Sequence, residues 1–191
     1  MILGITGGTG CGKTTALRAF AELGGVVLDC DAIYHELLKS DTEMLREIKN
    51  NFPGTVLDGT LDRKKLGSLV FADADALQRL NGITHTAVKA EVLRRIHGER
   101  RPVAIDAIAL LESGLGELCD TTLAITAPEE DRIARIMTRE GISWEYAQAR
   151  VAAQKPQQAF VDSCDHHLQN DGTEEEFYRK CLAFFGTLGI I

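Results

Sequence analysis

Short apolar runs alternate with segments of helical spacing along most of the chain. Ile2 to Ile5 is a short, largely apolar stretch that ends in glycines, which predicts a buried strand running into a turn. Lys13 to Leu23 carries Leu17, Phe20 and Leu23 at i, i+3 and i+6, and Gly24-Gly25 closes that helix. Val26 to Leu28 then predicts a second strand, so the chain opens as a βαβ unit of about 30 residues. From Ala32 to Ile96 the pattern is largely helical. Leu37, Leu38, Met44, Leu45 and Ile48 fit two short helices broken near Ser40-Asp41. Asn51 to Gly59, with one proline and glycines, predicts a loop, and Asp62 to Phe71 and Asp75 to Ile96 predict further helices. Strand signals return at Val103 to Ile105 and Thr122 to Ile125. Pro128 and the acidic Glu129, Glu130 and Asp131 then open a helix that stops at Gly141. Ser143 caps a helix through Gln154, Leu168 lies in a short strand, and Thr173 to Glu176 forms a capping box for a last helix. Strands alternating with helices predict an α/β fold with a parallel sheet covered on both faces.

Composition narrows the function. The 191 residues suit one domain with a core of mostly aliphatic side chains, because aromatics make up only 6%. No apolar run approaches the roughly 20 residues of a membrane helix, and no basic segment precedes the N-terminal apolar run, which argues against a membrane protein or a secretory signal. A net charge of −7 speaks against non-specific nucleic-acid binding, but a single site can still hold a phosphate. The five cysteines, Cys11, Cys30, Cys119, Cys164 and Cys181, form no C-x-x-C pair, so reduced thiols in a cytoplasmic protein are expected.

Gly7-Gly8-Thr9-Gly10-Cys11-Gly12-Lys13-Thr14 fits G-x-x-x-x-G-K-[ST] at every fixed position, between a predicted strand and a predicted helix. Such a loop turns its backbone N–H groups onto one phosphate, and the helix dipole points at the same anion. Thr9 to Thr15 is therefore the expected triphosphate site, with Lys13 reaching the β- and γ-phosphates and the Thr14 hydroxyl ligating Mg²⁺. The architecture becomes a P-loop NTPase-type three-layer sandwich on a parallel sheet of about five strands. No guanine-reading N-K-x-D occurs, and 191 residues leave no room for motor domains, so a small-molecule kinase fits. Such a kinase closes an arginine-bearing lid over its donor. Arg132, Arg135 and Arg139 share one helical face, as lid residues or as a solvated charged face.

The ordered motifs resemble the dephospho-CoA kinase family over almost the whole chain. Thr6 to Thr14 is similar to its T-G-G-x-G-x-G-K-[ST], and Asp29 to His35 to its D-x-D-x-x-x-[HR]. Gly59 to Phe71 and Leu80 to His85 resemble its middle segments, with Thr86 where the family has proline. Ile108 to Glu112 matches its P-L-L-F-E only in the later residues. Arg135 to Gln154 resembles its lid, and Asn170-Asp171-Gly172 a late N-x-G. The resemblance implies transfer of the ATP γ-phosphate to the ribose 3′-hydroxyl of dephospho-CoA. The alternatives are a P-loop kinase with another acceptor and a nucleotide-binding regulator that has lost catalysis.

The resemblance also implies roles. Asp31 orients or deprotonates the acceptor hydroxyl, or else only caps the next helix; Asp29 acts on Mg²⁺ through water. Arg135 and Arg139 clamp the phosphates, and Asn170 and Gly172 lie on the adenine side. His85 and Glu112 are acceptor-site candidates, His85 equally a structural histidine. One P-loop kinase domain, 1–191, is expected, with an acceptor-binding helical insertion over about 32–98 and a lid over about 129–155. Trp144, His166, His167, Arg94-Arg95 and Arg100-Arg101 read as packing or surface residues. Cys11, at a helix N-terminus beside Lys13, is expected to have a lowered thiol pKa and to be alkylated first, unless it is packed under the loop.

Overall fold

β1 (Ile2–Thr6) forms at the first apolar run, and alternation puts its side chains on opposite sheet faces. Leu3 and Ile5 are fully buried with Phe20, Phe177, Cys181 and Phe185. A Cβ on Gly4 would instead meet Leu110 and the Cys119 thiol on the other face. Both faces are thus covered. The computed structural model describes residues 1–190. They form two compact units, Asp29–Gly98 and the chain on either side of it.

In the larger unit β1 leads into α1 (Lys13–Glu22) and β2 (Val26–Asp29), where the chain passes into the second unit. It returns in β5 (Val103–Asp106), followed by β6 (Thr121–Thr126), α6 (Glu129–Glu140), α7 (Trp144–Ala152), α8 (Gln157–Val161), β7 (His166–Gln169) and α9 (Glu174–Thr187). The five-stranded sheet has the order β2-β5-β1-β6-β7. β1 runs parallel to β5 and to β6, with Ile2 opposite Val103 and Leu3 opposite Thr121, and β6 runs parallel to β7. This is the expected α/β fold. The strand order places the C-terminal end of β1, where the glycine loop begins, between the ends of β5 and β6. Crevices of this kind at the carboxyl ends of parallel strands are where α/β proteins bind ligands. Thr173 closes its capping box with Glu176, as its sequence predicts. α8 was not expected from the sequence, and α7 stops two residues before the predicted Gln154.

The second unit contains α2 (Cys30–Ser40), α3 (Thr42–Asn51), β3 (Val56–Leu57), β4 (Thr60–Leu61), α4 (Arg63–Phe71) and α5 (Ala74–Ile96). Each helix starts on an aspartate cap: Asp29, Asp41, Asp62 and Asp73 accept from first-turn N–H groups. Such caps contribute about 1 kcal/mol each. Ile33, Leu37, Met44, Ile48, Leu66, Val88 and Val92 supply buried apolar faces. The stretch predicted as a loop at 51–59 holds β3, which pairs antiparallel with β4. The reason is Asp58-Gly59, with φ 48° and 76°. Positive φ at both central residues is what a two-residue hairpin turn requires. Where the family has proline, Thr86 lies inside an unbroken α5 and donates its hydroxyl to Gly82 O at 2.8 Å.

Candidate active site

The loop from Gly7 to Gly12 joins the end of β1 to the first turn of α1. Gly12 is the N-cap, with no side-chain bond to the first-turn amides. The Lys13 N–H faces the Cys11 thiol, the Thr14 N–H has no intrahelical partner, and the end of the helix dipole lies at the same loop, as in an anion site. Lys13 Nζ donates to Gly7 O at 3.0 Å and stands 3.9 Å from Asp106 Oδ1. Both side chains are mostly buried, at 14% and 16% exposed. The lysine is thus folded back over its own loop beside an acid at the end of β5. Asp106 is a site residue that the sequence reading passed over. The signal was present, since Val103-Ala104-Ile105-Asp106 is an apolar strand ending in a carboxylate.

Several other loop atoms make contacts that the motif does not predict. Thr9 N–H donates to Gln154 Oε1 at 2.9 Å, and its hydroxyl accepts from Gln154 Nε2 at 2.8 Å. Cys11 N–H donates to Gly8 O, and Thr15 N–H to Gly12 O. Thr9, an expected phosphate-loop residue, is tied to Gln154, two positions past α7. Gly10 O accepts from Arg135 Nη1 at 3.2 Å, and Cys11 O from Asn170 Nδ2 at 3.0 Å.

Cys11 corrects the expectation of a reactive thiolate. Its side chain is fully buried, and burial pushes the thiol pKa up, outweighing the lowering influence of Lys13 and Arg132. The alternative, packing under the loop, is what the structure shows.

The three arginines of α6 separate. Arg132 is 3% exposed and bonds Thr9 O and Gln154 Oε1. Arg135 reaches Gly10 O and, at 3.4 Å, Asn170 Oδ1. Arg139 is exposed and pairs with Glu140 at 2.6 Å. A solvated face describes only the last of them. Asn170 is buried next to the loop. Gly172 lines a cavity of about 430 Å³ with Gln169, Asp171, Phe177 and Lys180. Glu112 pairs with Lys155 at a cavity of about 330 Å³, also lined by Thr6, Ile108, Leu111 and Phe160.

In the second unit, Asp29 Oδ1 accepts from Asp31 N–H at 2.9 Å and Ala32 N–H at 3.0 Å. Asp29, not Asp31, therefore caps α2. The Asp31 side chain is exposed in the first turn, and its carbonyl is within 2.7 Å of His35 Nδ1. His85 is half-buried on α5. Arg94 and Arg95 pair with Glu91 and Arg101 with Glu99, the surface role expected of them. Trp144 is 47% exposed at the start of α7, so it is not packed there as expected. Among the described residues no helix is long and apolar enough to cross a membrane.

Parallel sheet, glycine loop, Lys13 and the α1 terminus define a P-loop kinase. The sequence profile of the dephospho-CoA kinase family matches residues 1–176. The chain belongs to the dephospho-CoA kinase family, ATP-using kinases of the final step of coenzyme A biosynthesis, and its activity is that of the family. It is 37% identical over 185 residues to the dephospho-CoA kinase of Geobacter sulfurreducens, covering 94% of each chain. The crystal structure of TT1252 from Thermus thermophilus is 33% identical, with a TM-score of 0.81, over 98% of this chain and 97% of that one. Dephospho-CoA kinase from Campylobacter jejuni is 25% identical, with a TM-score of 0.68, over 98% and 96%.

Proposed function

We propose that the chain transfers the ATP γ-phosphate to the ribose 3′-hydroxyl of dephospho-CoA, with Mg²⁺, in the cytoplasm. The single observation that carries the donor half is Lys13 Nζ held between Gly7 O and Asp106 at the head of α1. Phosphoryl transfer is chiefly positioning and charge neutralisation. Lys13 and the first-turn amides of α1 hold the β- and γ-phosphate oxygens, and Arg135 with Arg139 supplies further positive charge as the γ-group leaves. The Thr14 hydroxyl and the Asp106 carboxylate flank Lys13, one in sequence and one in space. They are hard oxygen donors of the kind Mg²⁺ takes one or two of, completing its shell with phosphate and water. We place Asp106 there in preference to Asp29, whose Oδ1 is committed to capping α2. Mg²⁺ held there would supply positive charge that offsets that of the phosphates.

Asp31 takes the proton of the 3′-hydroxyl as the bond from that oxygen to the γ-phosphorus forms. The bond from phosphorus to the β–γ bridging oxygen breaks, and ADP leaves. Asp31 lies in the helical unit, which we assign to the acceptor together with His85. Glu112, beside the cavity it shares with Lys155, is a further acceptor candidate. Asn170 and Gly172 serve the adenine side. Residues 129–155 act as the arginine-bearing lid through Arg135 and Arg139. Five free thiols suit a reducing compartment.

The test is ADP release with ATP, Mg²⁺ and dephospho-CoA, with the product phosphate located by NMR. Release that requires both Mg²⁺ and dephospho-CoA, with phosphate on the 3′-oxygen, is expected. Release independent of either, or phosphate elsewhere on the product, would overturn the assignment.

A further inference from the structure

Arg132 shares a helical face with Arg135 and Arg139, yet it is almost wholly buried and turned onto the loop. Its Nε donates to Thr9 O at 2.9 Å and its Nη2 to Gln154 Oε1 at 2.7 Å. The same Gln154 oxygen accepts Thr9 N–H, and Gln154 Nε2 donates to the Thr9 hydroxyl. All three polar groups of Thr9 are thus held by two side chains more than 120 positions away in sequence. The backbones are close as well. A Cβ on Gly8 would lie 2.4 Å from Arg132 Nη2, and one on Gly10, where φ is +80°, would lie 2.6 Å from Arg132 O. Gly8 and Gly10 occupy variable positions of the phosphate-loop pattern. Glycine is required at Gly10 because the α6 backbone packs directly on the loop; at Gly8 an added Cβ would have to displace the Arg132 guanidinium.

We propose that Arg132 and Gln154 are positioning residues for the phosphate loop: they fix the Thr9–Gly10 peptide for the triphosphate, and the Arg132 charge raises the potential behind it. The proposal rests on the loop being the ATP site. In a trans peptide, C=O and N–H point in opposite directions. Holding Thr9 O against Arg132 therefore turns Gly10 N–H away from that guanidinium. A donor set before the substrate arrives needs no reorganisation during transfer. Arg132 is also unusual in its partners. Both are neutral; Glu129, one turn earlier on α6, acts on it electrostatically but makes no ion pair with it among the described residues. A buried charge without a bonded counter-ion is costly. A bound polyanion lowers that cost, so the desolvated guanidinium favours the ATP-bound loop.

Three full-length variants separate geometry from charge: Arg132→Met, Gln154→Ala and Gln154→Glu. The last keeps the acceptor of Arg132 and Thr9 N–H but places a carboxylate on the guanidinium. ATP and dephospho-CoA affinities are read by calorimetry, and folding by thermal melting. Arg132→Met should weaken ATP binding by about 10–100-fold, the effect of losing charge-assisted bonds at a buried site. Gln154→Ala and Gln154→Glu should each weaken it by about 10-fold, the second through the added carboxylate and the lost donor to the Thr9 hydroxyl. Dephospho-CoA affinity should be unchanged in all three. A lower melting temperature with unchanged ATP affinity, or equal weakening of both ligands, would overturn the proposal. If Arg132→Met does not fold, Gln154→Glu decides by the same criterion. Lys13→Ala is the control. If it too leaves ATP binding intact, the loop assignment fails; if it alone weakens ATP, only the positioning role fails.

Discussion

The phosphate loop and the helical unit of residues 29–98 are held by opposite kinds of contact. The loop is fixed from far away in sequence: Arg132, Arg135, Gln154 and Asn170 reach Thr9, Gly10 and Cys11 across 123 to 159 positions. The polar contacts of the helical unit are mostly local, with Arg95–Glu36 between α5 and α2 an exception. Its four helices begin on aspartates two or three residues before the amides they cap, and Glu43–Arg46 and Glu91–Arg94 pair one turn apart. Local contacts form as soon as their helix forms. Long-range contacts exist only once α6, α7 and β7 have docked, and they bring a loop-closure cost with them. The loop therefore acquires its geometry from the finished fold, and changes there should fall on function before stability. Changes in the caps and surface pairs should do the reverse.

The largest effect that would break this contrast is at Lys13. Lys13→Ala should lower turnover by about 10³-fold, the upper range for loss of one preorganised donor, with little change in melting temperature. Steady-state kinetics and calorimetric melting check both parts, and a destabilised but active variant would contradict them. Asp31→Asn should lower turnover by about 10²-fold or more while ATP affinity is kept, as expected for loss of a base. Because Asp29 and not Asp31 is the cap, Asp31→Asn should leave the melting temperature unchanged and Asp29→Ala should lower it.

Cys11 sharpens the comparison through chemistry. Full burial and a raised pKa predict that it resists alkylation in the native protein, with the half-buried Cys164 labelled before it. Peptide mapping after brief iodoacetamide treatment distinguishes the two orders.

The smallest effect is in the helical unit. Arg94 and Arg95 hold the Glu91 carboxyl down from 4.5 to about 2. A depressed folded-state pKa stabilises the protein above the unfolded value near 4.5, and that stability is lost as pH falls toward 2. Glu91→Gln should therefore cost about 1 kcal/mol at neutral pH, a figure discounted for solvent screening. The difference from the parent should shrink across that acid window. Denaturant titrations at several pH values would show it.

Legibility from sequence followed the same division. The loop motif is contiguous, so its strand, glycines, Lys13 and Thr14 were readable one after another, and the helical unit was readable from its apolar spacing. What escaped was pairing. Nothing in the spacing of Arg132, Arg135 and Arg139 says that the first is buried on Thr9 while the last pairs with Glu140 in solvent. The thiol of Cys11 was misjudged because helix dipole and lysine are visible in sequence and burial is not. Two misses were avoidable. Asp58-Gly59 is a hairpin signal inside a stretch read as loop, and Val103 to Asp106 is an apolar strand ending in an acid beside the lysine.

The most direct test of the account is a crossed titration of full-length parent and Lys13→Ala protein, each with ATP–Mg²⁺ and with dephospho-CoA. The account predicts that Lys13→Ala loses ATP affinity and keeps dephospho-CoA affinity, because the donor alone is held by the loop. Equal ATP affinity in the two proteins, or loss of dephospho-CoA binding in the variant, would contradict it.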